Sequence, residues 1–160
     1  MESSKKISRL VAVLILTAAG RPASGAEVPP EILQQPPEAR AFQEMEFPRL
    51  IAIVEERGLV PDGHSRLFWW QVDGEVGPLV VQAVAPGSAA AAAGFLPGDI
   101  VEEIRGIPHY LIPGALQRLE IKGGAANLGH QLERARDFGF TEVTLGVRRG
   151  GSHFEVVLAL

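Results

Sequence analysis

A chain of 160 residues with a formal net charge of −4 predicts one domain with an appendage, a length that buries a sufficient core without covalent staples. It holds no cysteine, which excludes disulfides and thiolate chemistry. Without its first 26 residues it keeps 11 basic against 18 acidic side chains, a net charge of −7, and Lys122 as its one lysine, which argues against nucleic acid or an anionic membrane as partner.

Residues 1–26 read as a secretory signal peptide. Lys5, Lys6 and Arg9 give a positive start, residues 10–19 an apolar run too short to span a bilayer comfortably, and Ser24, Gly25 and Ala26 a small-residue cleavage site. The alternative is an uncleaved membrane anchor. Cleavage leaves no integral membrane span and an exported protein, periplasmic or secreted. Residues 27–38 carry four prolines and read as an extended linker. Residues 39–65 form a helical extension. Phe47 and Pro48 suit a helix start, Leu50, Ile51 and Val54 share one face, Glu55, Glu56 and Arg57 face water, and Gly58 is the stop. Residues 61–64 (PDGH) read as a turn.

The most informative stretch is 79–108, LVVQAVAPGSAAAAAGFLPGDIVEEIRGIP. Residues 79–84 alternate as a buried strand. Ser88 is the N-cap of a short helix over 89–93, Gly94 its left-handed terminator, and Phe95 the apolar contact that accompanies such a cap. Pro97 and Gly98 turn the chain. Residues 99–105 form a second strand, with Ile100 and Ile104 on one face.

This string resembles the bacterial PDZ pattern P-G-S-P-A-x-x-A-G-L-x-P-G-D-x-I-x-x-I-N-G-x-P, found in HtrA-type and C-terminal processing proteases. Pro86, Gly87, Ser88, Ala90, Ala93, Gly94, Pro97, Gly98, Asp99, Ile104, Gly106 and Pro108 fall in register without a gap. Ala89, Phe95 and Arg105 stand where Pro, Leu and Asn are usual. The resemblance covers residues 66–160. It implies an α+β fold, a PDZ-like partial β-barrel of about five strands with two family helices. To these the chain adds the N-terminal helix and an insert at 109–126. Within the insert, residues 112–119 form a turn or two of helix, Leu116 and Leu119 being spaced i, i+3. The second family helix is placed at 125–138, with Leu128, Leu132 and Ala135 on one face. Strands at 141–147 and 154–160 flank a hairpin turn at 148–151.

The same resemblance places the family's first strand and carboxylate-binding loop at 66–72. A partner peptide would add as a strand between this segment and the 125–138 helix. The implied peptide-binding residues are Leu67, Phe68, Trp69, Trp70, Gln71, Val72, Leu128 and His130. The loop's usual glycine is replaced by Phe68 or Trp69, bulky residues that crowd an approaching backbone. If the segment is extended, one tryptophan faces the core and the other solvent or a ligand.

No catalytic constellation emerges. There is no G-x-S-x-G elbow and no H-E-x-x-H. The adjacent pairs His64-Ser65 and Ser152-His153 point to opposite faces of any strand. No metal or other cofactor is expected. The implied function is an exported interaction module that binds an extended peptide or a protein C-terminus, such as that of an envelope protein. Two alternatives stand beside it: a scaffold with a blocked groove in an envelope assembly, and an accessory module for a separate protease. Oligomeric state is open.

Overall fold

The computed structural model describes residues 36–68, 76–109 and 111–160. The expected signal peptide, most of the linker and residues 69–72 lie outside them. Helix α1 (Pro37–Glu56) leads into strand β1 (Leu59–Pro61). Then follow β2 (Leu79–Val84), the short helix α2 (Ala89–Ala93), β3 (Ile100–Pro108), β4 (Leu116–Glu120), helix α3 (Gly124–Asp137), β5 (Glu142–Arg149) and β6 (Ser152–Ala159). The fold is α+β: three helices among the described residues and a six-stranded antiparallel sheet that does not close. Its order is β1-β2-β3-β5-β6, with β4 added to β3.

Local chemistry sets the 79–108 unit as its residues require. Ser88 Oγ accepts from Ala91 N at 3.1 Å, Gly94 is left-handed at φ 89°, and Phe95, 3 % exposed, donates its N–H to Ala90 O. Asp99 ties the turn to β3. It is fully buried, accepts from Leu96 N at 2.9 Å, and takes two hydrogen bonds of 2.7 Å from the Arg149 guanidinium.

Several expectations are corrected. Helix α1 starts at Pro37, inside the expected linker and well before Phe47. A proline fits the first helical turn, while Pro48 sits exposed within the helix and forfeits one backbone bond. Glu55 is half-buried and pairs with Arg66 instead of simply facing water. The face shared with Ile104 is that of Val101, not Ile100, because the pairing with β5 slips between Val101 and Glu103 and turns the intervening side chains over. Residues 66–68 are turn and bend, so no strand starts at Arg66. The insert holds a strand rather than a helix. Residues 116–120 pair with β3 and alternate in exposure, so the cross-strand ladder overrides the i, i+3 spacing of Leu116 and Leu119.

One core joins every layer. Leu59, Leu79, Val81, Val101, Ile104, Leu145 and Leu158 come from the sheet, Leu128, Leu132 and Ala135 from α3, and Leu50, Ile51, Ile53 and Val54 from α1. The C-terminal end of α1 is pinned by two backbone bonds, Ala90 N to Arg57 O (2.8 Å) and Ala85 N to Gly58 O (2.9 Å). Gly58 has φ 94°, and a Cβ there would lie 1.9 Å from Ser88 Oγ, so glycine alone fits.

Candidate functional site

The implied groove has two walls, the segment leading out of Ser65 and helix α3. Ser65 is the joint between them. Its side chain is buried, its N–H donates to Asp62 Oδ1 (2.8 Å), and its Oγ accepts from Val80 N (2.9 Å). Its carbonyl accepts from Ala125 N at 3.0 Å, while Gly77 O accepts from Gly124 N at 2.8 Å. Two N–H groups at the start of α3 thus bond to the protein's own backbone.

Leu67 and Phe68 turn inward, 9 % and 7 % exposed. Trp69, Trp70, Gln71 and Val72 lie outside the described residues. On the other wall, Leu128 is fully buried in the core and His130 is exposed. The structure therefore places Leu67, Phe68 and Leu128 within the apolar interior and His130 outside it.

Helix α1 touches both walls. The rings of Phe47 and Phe68 are 5.1 Å apart, tilted by 32°. At the other wall the backbone of Leu50 meets α3 at Gly129, where a Cβ would sit 2.0 Å from Leu50 O. Only glycine permits that approach. Arg49 then bridges the two helices, donating to Glu46 on its own helix (3.0 Å from Nε) and to Glu133 on α3 (3.1 Å from Nη2). The hydrogen bond from Arg49 and its charge hold the Glu133 carboxyl below its ordinary range, and the two carboxylates raise Arg49. Sequence reasoning missed this contact set. Its one legible signal was Gly129, a glycine inside a helix where no turn requires it.

The opposite face of the sheet carries a charged cleft of about 420 Å³. Gly146 leaves room for the Glu103 side chain, whose carboxylate receives Arg105 (2.9 Å) and Arg118. Burial raises the Glu103 carboxyl, but the two guanidiniums outweigh it and the net shift is downward. Glu155 pairs with Arg105, and Glu102 pairs with Arg148 at 2.6 Å and His153 at 3.2 Å. These charges satisfy one another. Among the described residues no cluster of three or more metal-binding side chains occurs, and no helix is long and apolar enough to cross a membrane.

No protein-family model matches the chain, and no curated protein matches it.

Proposed function

We propose that the chain is an exported, PDZ-like interaction module without enzymatic activity of its own, acting as a scaffold in an envelope assembly. The family resemblance of residues 79–108 supports the module. One observation carries the scaffold reading: α1 touches both walls of the implied groove, Phe47 on Phe68 and Leu50 on Gly129. The bulky residues at 68 and 69 and the bonded N–H groups of Gly124 and Ala125 also speak against carboxylate capture. The partner is a protein, either an envelope component or a separate protease to which the module is accessory.

The test uses the tryptophans Trp69 and Trp70, the chain's only two. The protein is titrated with C-terminal peptides, free-acid and amidated, and fluorescence is followed. The expected result is no saturable change with either set. A saturable change with the acids alone would overturn the closed groove.

A second reading keeps the groove as a peptide site, with strand addition at 66–72 once the first half of α1 lifts. It is favoured by the exposure of that half, in which Pro37, Glu38, Ala41, Glu44 and Met45 face solvent. Its affinity would be micromolar, about −8 kcal/mol. An equal saturable response to acids and amides supports this second reading.

A further inference from the structure

The loop joining β3 to β4 gathers apolar side chains that the core does not use. Residues 107–117, IPHYLIPGALQ, carry no formal charge, in a chain of which 21 % is charged. Within them Leu111, Ile112 and Leu116 are 72 %, 55 % and 62 % exposed. The other large apolar side chains in solvent, Met45, Leu96, Phe138 and Val157, fall singly elsewhere in the chain, and single ones are ordinary where a cluster is not. Hydrogen bonds hold the loop in shape. His109 N donates to Ala115 O (2.9 Å), Ala115 N to Ile112 O (3.1 Å) and Leu111 N to His109 Nδ1 (3.1 Å). At the base Pro108 O accepts from Arg134 Nη2 on α3 (2.9 Å). The N–H groups of 109, 111 and 115 are thus satisfied within the protein, and Pro113 has none to satisfy. Such a loop leaves water at little of the cost that bare backbone groups impose.

We propose that this loop dips into the interfacial region of a bilayer of zwitterionic lipid and seats the domain there reversibly. The kind of side chain selects the occupant. Leucine and isoleucine are among the residues a bilayer takes up most favourably, whereas the anchors of protein interfaces are mainly tryptophan, tyrosine and arginine. Charge selects the lipid. The chain is net acidic, at −4, so an anionic surface repels it. The cations at the base of the loop, Arg105 and Arg118, are paired with Glu103 and are not free to recruit anionic headgroups. A loop without charge, by contrast, strips no ion of its water on entering a neutral interface. A few aliphatic side chains make a weak anchor, as a single acyl chain does, so the seat is reversible. It does not depend on either reading of the peptide groove.

Because the chain has no cysteine, one introduced thiol carries a probe to a chosen position. Pro113→Cys in the full chain, labelled with a nitrobenzoxadiazole fluorophore, is titrated with phosphatidylcholine vesicles. Its emission should brighten and shift to the blue, and the response should persist at high salt, which screens electrostatic contacts. The same label on Ser152→Cys, exposed at the end of the sheet where β3 begins, should not respond. Leu111→Ser with Ile112→Ser, shown to be folded by circular dichroism, should raise the lipid concentration needed for the response at 113 by about tenfold or more. A label at 113 that stays silent overturns the proposal, even where the chain sediments with vesicles through residues 10–19 or the label answers to an envelope protein instead. So does a response lost at high salt, one matched at 152, or one that the two serines leave unchanged.

Discussion

The α1–α3 pair and the β3–β4 hairpin treat apolar surface in opposite ways. In the helix pair, Leu50, Ile51 and Val54 vanish against Leu128 and Leu132, and a glycine admits backbone to backbone contact. In the hairpin, Leu111, Ile112 and Leu116 remain in solvent. Each joins a part of the segment that resembles a family, α3 or β3, to an addition, α1 before that segment or β4 inserted into it. The first completes the core; the second holds its apolar side chains outside it.

The contrast breaks or sharpens in order of size. Gly129→Ala should have the largest effect. Alanine favours an isolated helix by about 1 kcal/mol, yet here its Cβ meets the Leu50 carbonyl, so a net loss of roughly 2 kcal/mol or more is expected in a denaturant melt. A neutral outcome would mean that α1 is not seated where the structure puts it.

Next comes the root of β3, the fixed end opposite the free arm. Asp99→Asn should cost about 1–2 kcal/mol, the partial exposure of Arg149 reducing what a buried charged bond would give. Burial raises the Asp99 carboxyl, but the Arg149 guanidinium and the Leu96 N–H overcome it, and the folded state holds it below the usual carboxylate range. A depressed carboxyl stabilises above its unfolded pKa and loses that stability as pH falls through its folded pKa. Melts from neutral to acid pH should therefore show a steeper decline in wild type than in Asp99→Asn; parallel curves would remove Asp99 from the account.

Smaller again, Glu133→Gln should loosen α1 by at most about 1 kcal/mol, an effect that high salt abolishes. The smallest change belongs to the arm. Leu111→Ser with Ile112→Ser should leave the folding free energy within about 0.5 kcal/mol. A larger loss would make the arm part of the core and erase the contrast.

What was legible in the sequence follows the same division. From 79 to 108 the structure is specified by neighbours in the chain: the Ser88 cap, the Gly94 terminator and the turn at Pro97 and Gly98 act within a few residues, and each is found as read. The 125–138 helix and the two final strands, whose periodicities are long and clean, lie within a few residues of their expected bounds. The insert misled because Leu116 and Leu119 satisfy a helical spacing, and only pairing with β3 decides for a strand. The three-residue β1 is too short to show a period at all. The covering of α3 by α1 was illegible for a deeper reason: it depends on a meeting of residues 50 and 129, whose distance along the chain no local pattern spans.

That meeting has a hereditary consequence. At position 129 the contact is with carbonyl carbon and oxygen of residue 50, atoms common to every amino acid. Selection acting on this crossing is therefore one-sided. Descendants of the sequence should keep glycine at 129 while residue 50 drifts among apolar types, and the two positions should leave no correlated trace in an alignment although they touch.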